Sequence, residues 1–194
     1  DLAELVEARR QLLDALTTAR NQSASVRMPR LRALAEARIG QLRAWIAELD
    51  AAIAEHIANH AQLARADALL RSVPGVGPAT AARLLADMPE LGTLSRQKIA
   101  ALAGVAPFAN DSGQRQGKRR MRAGRRAVRC ALYMAALVAS RRNPVLRPCH
   151  HRLRAAGKPP KLALGALMRK LLVILNAILR TGQPWAPSPH HPAP

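Results

Sequence analysis

Ser112 stands between Asp111 and Gly113 and opens the most basic part of the chain. Lys118, Arg119, Arg120, Arg122, Arg125, Arg126 and Arg129 follow within twelve residues, with no carboxylate among them. A guanidinium presents a planar fork of donors that matches two phosphate oxygens at once, so such a run suits a phosphate backbone. On a helix only about half of these side chains face one partner. A serine hydroxyl beside such a clamp has the chemistry to attack phosphorus, provided a base or metal activates it. Asp-Ser-Gly is equally an ordinary turn sequence in which the serine serves the backbone. No general base is evident near Ser112, and Asp111 is a neighbour in sequence without having to point the same way. The residues alone leave both readings open.

A second pattern lies upstream. Val73-Pro74-Gly75-Val76-Gly77 precedes Ala79, Ala81, Ala82, Leu84 and Leu85. It resembles the hairpin of the helix-hairpin-helix DNA-binding motif. Glycine lets a backbone approach a phosphate without a Cβ in the way. The free amides of the helix that follows then meet the anion, aided by the dipole. Gly75, Val76 and Gly77 are therefore candidate nucleic-acid contacts. The competing reading is a helix–helix turn that needs glycine only for its dihedral angles.

The remaining polar clusters carry less. His56 and His60 are four residues apart, but the acid, Glu55, precedes the first histidine, so the order is not that of a zinc protease helix. Cys149-His150-His151 are consecutive, and consecutive residues seldom converge on one ion. There is no phosphate-binding loop and no clustered acidic site for magnesium.

The charge pattern points the same way as the arginine run. The 194 residues carry a net charge of +19. All 12 acidic residues and 13 of the 31 Lys and Arg lie in residues 1–111; residues 112–194 hold the other 18 and no acid. Such asymmetry is a sign of a polyanionic partner. A disordered basic tail would also be charged, but apolar periodicity continues through this half. Only Trp45, Phe108, Tyr133 and Trp185 are aromatic, which argues against a single-strand binder that stacks bases. Cys130 and Cys149 form no Cys-x-x-Cys pair, in keeping with a reducing, cytoplasmic setting. The apolar run Leu162–Leu179 is interrupted by Arg169 and Lys170, so a buried helix is expected there and not a membrane span.

The elements that must position these residues read as all-α. Leu2, Leu5, Leu12, Leu13 and Leu16 share one helical face. Asn21 to Pro29 reads as a polar break. Leu31, Ala35, Ile39, Leu42, Ile46, Leu49 and Ile53 then alternate fours and threes, close to a heptad seam, so the two helices form an antiparallel hairpin or a dimerising coiled coil. Pro and Gly punctuate the stretch from Ser72, leaving helices over Pro78–Asp87 and Ser95–Leu102, with Ser95 as N-cap. Helix resumes through "RAVRCALYMAALVASRR" and stops at Arg142-Asn143-Pro144. A basic stretch ending in Gly157-Lys158-Pro159-Pro160 leads to the last helix, Lys161–Arg180. The expected organisation is a coiled-coil or hairpin segment over 1–68, a helical domain containing the helix-hairpin-helix over 69–185, and a disordered Pro-rich tail over 186–194.

Three stretches taken together carry a family resemblance: "LLRSVPGVGPATAARLLADMPELGTLSRQKIAALAGVAP", "DSGQRQGKRRMRAGRRAVRCALYMAALVAS" and "GKPPKLALGALMRKLLVILNAILRTGQPW". In this order and spacing the chain resembles the C-terminal part of transposases of the insertion sequence 110 type, which include the pilin-gene invertases. The N-terminal helices resemble the coiled coil that precedes that domain. The resemblance implies a serine nucleophile in the Ser-Gly step after Ala-Pro, here Ser112-Gly113 after Ala106-Pro107. It implies attack on the DNA phosphodiester with a covalent phosphoserine link. It further implies double-stranded DNA and a structured guide RNA as partners, and a homo-oligomer, dimer or tetramer. Mg2+ is implied to be held by an N-terminal acidic domain and not by this chain. That domain is absent from the sequence, so the chain alone is expected to be inactive, through truncation or excision. Ala123-Gly124-Arg125 departs from the Gly-Asn expected at that place. The irregular basic segment that follows Pro107 and runs to about Arg119 is expected to be mobile without nucleic acid. Two alternatives remain: a non-catalytic helix-hairpin-helix module that binds nucleic acid, and a structural dimerisation fragment.

Overall fold

The computed structural model describes residues 1–108, 120–121 and 123–187. Among them eight helices and one two-residue strand pairing form, so the chain is all-α. It divides into two compact units, Asp1–Ala64 and Arg65–Pro194.

The first unit is a helical hairpin. Helix α1 runs Leu2–Ala24 and α2 runs Pro29–Ala58. The Asp1 carboxylate caps α1 by accepting from the Ala3 amide at 3.0 Å, and Pro29 supplies a preset φ at the first turn of α2. The helix therefore continues through Asn21–Ala24, and the break expected from Asn21 shrinks to the loop before Pro29. Short polar side chains favour turns only where nothing better competes, and here Arg38 of α2 donates to Gln22 in that last turn. Arg9 pairs with Asp50, and Arg38 reaches Gln22 at 3.4 Å, so the helices run antiparallel. Leu16, Ala19, Leu42 and Ile46 form the core between them, backed by Leu12, Ala15 and Ile39. Of the near-heptad seam of α2, Ile39, Leu42 and Ile46 are thus packed within the hairpin, whereas Leu31 stays half exposed.

The second unit is built on its last helix. It contains the C-terminal part of α3 (Ala61–Arg71), then α4 (Pro78–Asp87), α5 (Arg96–Leu102), α6 (Arg126–Arg142), α7 (Leu146–Ala155) and α8 (Pro160–Thr181). Leu167, Leu171, Leu172 and Leu175 of α8 are wholly buried, and burying each contributes about 2 kcal/mol. Helices α5, α6 and α7 pack on α8, and α4 packs on α6. Helix α8 is long and apolar enough to cross a membrane by length and composition, yet more than half of that stretch is buried inside the unit. Asn176 explains how a polar residue survives in it: its Oδ1 accepts from the Gly92 amide at 2.8 Å and its Nδ2 donates to the Leu94 carbonyl at 3.0 Å. Ser95 caps α5 as expected, accepting from the Lys98 amide.

Helix α7, Leu146–Ala155, differs from the sequence reading, which has only a basic stretch between the break at Arg142-Asn143-Pro144 and the last helix. Pro148 sits in its first turn, where the missing N–H costs nothing. Leu146, Cys149 and Leu153 recur at helical spacing and pack into the core. Asn143 starts the helix: its buried Oδ1 accepts from the amides of Val145 and Leu146.

Candidate nucleic-acid interface

The turn before α4 is held from below. Gly75 has φ +111°, and a Cβ there would come within 2.7 Å of the Ala139 Cβ on α6. Asn143 Nδ2 donates to the Pro74 carbonyl at 3.1 Å. Val76 is buried and its amide bonds the Val73 carbonyl. Gly75 and Val76 thus face the core. Gly77 does not: its backbone is extended, and a Cβ there would meet nothing within 4 Å. Among the described residues the amides of Gly77 and Ala79 have no acceptor, as expected of a helix start. The open end of α4 is therefore presented to solvent by Gly77.

The basic segment springs from a closed stem. Pro107 pairs with Met121 and Phe108 with Arg120 in an antiparallel pair of two residues each. The chain between them carries Ser112, Lys118 and Arg119, which lie outside the described residues, as does Arg122. Arg120 contributes its backbone to the stem. Below the pair, Gly104 and Gly124 lie back to back, each with positive φ, and a Cβ on either would strike the other strand's backbone. The Arg125 amide donates to the Leu102 carbonyl at 3.1 Å. Arg129 Nη1 donates to the Ala123 carbonyl at 2.7 Å, which holds Ala123 at φ +58°, a left-handed conformation that costs an alanine about 1 kcal/mol. Met121 reaches α8, where a Cβ on Gly165 would touch its Cε.

Arg125 is the centre of this arrangement. Its guanidinium grips both carboxylate oxygens of Glu90 at 2.7 Å and donates to the Asp87 carbonyl at 2.7 Å. The clamp joins the end of α4 to the start of α6. Hydrogen bonding from Arg125 holds the Glu90 carboxyl well below the usual carboxylate range, at about 2, with a backbone hydrogen bond adding to the effect. The same partner raises Arg125 above its ordinary value. Both side chains keep about a third of their exposure, 35% and 34%, so solvent screens the pair.

Arg126 is exposed at the first residue of α6, and no acid lies in that first turn. Arg126 and Arg129 stand at the positive end of the helix dipole, an unfavourable placement that a bound anion would relieve, while Arg125 beside them is already paired with Glu90. The structure thus brings these three arginines together beneath the stem. It keeps the glycine turn apart from them: Gly75 lies against Ala135 and Ala139, about 10–20 Å further along α6. Sequence reasoning missed Glu90 and Asn143. Glu90 is 35 residues from Arg125, beyond any local pattern; Asn143 was visible only as a helix-stopping Asn-Pro.

No group of three or more His, Cys, Asp or Glu among the described residues could hold a metal ion. The carboxylates nearest the stem are taken, Glu90 by Arg125 and Asp87 by Arg83 at 3.2 Å. In the first unit His56 and His60 stack, with ring centroids 4.4 Å apart, and His60 Nδ1 bonds the His56 carbonyl.

Residues 67–151 match the model of a protein family described as the transposase family of IS116, IS110 and IS902. The match contains Gly75 to Gly77, Ser112 and the basic run from Lys118 to Arg129. The IS900 insertion element's uncharacterized 42 kDa protein of Mycobacterium paratuberculosis is 36% identical over 149 residues, 74% of this chain and 36% of the relative. A pilin gene-inverting protein of Moraxella bovis is 32% identical over 151 residues, 74% of this chain and 47% of the relative. The IS110 uncharacterized 43.6 kDa protein of Streptomyces coelicolor is 36% identical over 117 residues, 59% of this chain and 29% of the relative. The chain spans about a third to a half of the length of these curated relatives.

Proposed function

The chain belongs to the transposase family of IS116, IS110 and IS902 through residues 67–151, and on that footing we propose that it binds double-stranded DNA and supplies Ser112 as the nucleophile for strand cleavage and rejoining. The observation that supports this best is the cationic start of α6. Arg126 and Arg129, next to the Arg125 that Glu90 holds, lie at the helix start below the stem that flanks the serine-bearing segment. A phosphodiester drawn to that helix end meets arginine charge beside the segment that carries the hydroxyl.

The chemistry balances without an outside energy source. Ser112 Oγ forms a bond to phosphorus while the phosphorus–oxygen bond to the leaving nucleotide breaks. The hydroxyl proton ends on the departing oxygen. The bond energy is kept in the phosphoserine ester, so the reverse attack rejoins a strand. Arginines around the phosphorus stabilise the charge that builds in the transition state. The open N-terminus of α4 at Gly77 gives a second, sequence-independent grip on the backbone. Our reading places a structured guide RNA, a homo-oligomer of two or four copies, and a magnesium-binding acidic domain around this chain, in the bacterial cytoplasm. In this reading magnesium belongs to that acidic domain, and no step is assigned to it here.

The test is a denaturant-resistant protein–DNA adduct. This chain, joined to an acidic domain of the family, is incubated with magnesium, cognate RNA and labelled DNA, with and without Ser112→Ala. We expect an adduct that disappears in the variant. An adduct that survives Ser112→Ala moves the nucleophile elsewhere and returns Ser112 to a turn residue.

A further inference from the structure

Helix α7 presents a basic face that the serine site does not use. Arg147, His151 and Arg154 are all exposed. They fall within about 60° of one another around the helix. The opposite side, Leu146, Cys149 and Leu153, is spent on the core. Lys158 extends the row beyond the helix end and is fixed there: its amide donates to the Leu153 carbonyl at 3.1 Å and its carbonyl accepts from Arg154 Nη1 at 2.5 Å. No carboxylate among the described residues pairs with any of the four, and residues 112–194 contain none. Lys161, also exposed, then stands one turn before Gly165, the α8 residue that Met121 of the stem touches. The row therefore leads from the C-terminal end of α6 back toward the stem.

We propose that this face, Arg147, His151, Arg154, Lys158 and Lys161, is a second binding surface for the backbone of double-stranded DNA, continuous with the stem. The inference rests on the DNA-binding reading above and adds to it a track that lies outside the arginines of α6. Three features select the partner. The helical part of the row, Arg147 to Arg154, is about 10 Å long, over which duplex DNA offers about six phosphate charges. The face carries no Phe, Tyr or Trp on which single-stranded bases would stack. A membrane-surface helix would need its apolar side free for lipid, and here that side is buried.

The experiment measures binding of the whole chain to a labelled, mixed-sequence DNA duplex across 50–200 mM KCl. It compares the wild type with Arg147→Ala/Arg154→Ala/Lys158→Ala and with the charge-keeping pair Arg147→Lys/Arg154→Lys. Each lost phosphate contact flattens the slope of log K against log salt by about 0.9. The alanine variant is therefore expected to lose about 2–3 from the slope and to bind at least tenfold more weakly at the lowest salt. The lysine variant should keep the slope, which a merely structural role would not require. Unchanged affinity and slope in the alanine variant would overturn the proposal while leaving the DNA-binding reading intact. So would a loss confined to an RNA duplex of the same length. A wild-type chain that does not bind the DNA duplex would sink both.

Discussion

Gly75 and Gly77 stand two residues apart and answer to different demands. Gly75 is needed by the fold, because φ +111° and the nearby Ala139 leave no place for a Cβ. Gly75→Ala is expected to destabilise the second unit by about 1–3 kcal/mol, read from denaturant midpoints. Gly77 borders open space with ordinary extended backbone, so Gly77→Ala should cost less, about 0.5–1 kcal/mol, the difference between glycine and alanine at an N-cap. If α4 grips DNA through its free amides, Gly77→Ala should still weaken binding, since the new methyl stands where phosphate would approach. Equal stability loss in both variants would contradict this division. The glycines were legible in the sequence as a turn with two possible uses; only the packing on α6 separates them. Arg125 was legible as a cation but not as a clamp, since its partner Glu90 is remote in sequence. Lys118, Arg119 and Ser112 lie outside the described residues, so their part in the site rests on the sequence.

At the scale of elements, the stem and its clamp make the acid response of the second unit specific. Glu90 titrates near 2 when folded, below its ordinary value of 4.5. A carboxyl with a depressed folded value contributes stability that is present above the unfolded value and lost as pH falls through the folded one. The contribution of the clamp should therefore be full above about pH 5 and fade between about pH 4.5 and 2. Thermal melts across that range should show a decline in the wild type that is smaller in Glu90→Gln. An identical acid response in the two proteins would mean that the pair is too screened to matter. Helices α4 and α5 were readable to within a residue because Pro78 and Ser95 are strong start signals. Helix α7 was not, because arginines, histidines and Pro148 mask a short apolar repeat whose value appears only when α8 lies against it.

For the molecule as a whole, the uneven charge is the dominant fact, and it was plain in the sequence. The second half carries 18 basic residues and no acid. A chain that neutralises six to ten phosphates should lose about three to five orders of magnitude in DNA affinity between 50 and 200 mM salt. A salt titration with flat, weak binding would favour a fragment whose business is assembly and not DNA. The family match and the cationic start of α6 both point to phosphodiester chemistry, and the central claim is that Ser112 performs it. The most direct measurement is to digest the covalent adduct formed by the complete transposase and locate the nucleotide by mass spectrometry. The account predicts a deoxynucleotide phosphate esterified to Ser112. A nucleotide on any other side chain, or an adduct that forms equally in Ser112→Ala, would contradict it.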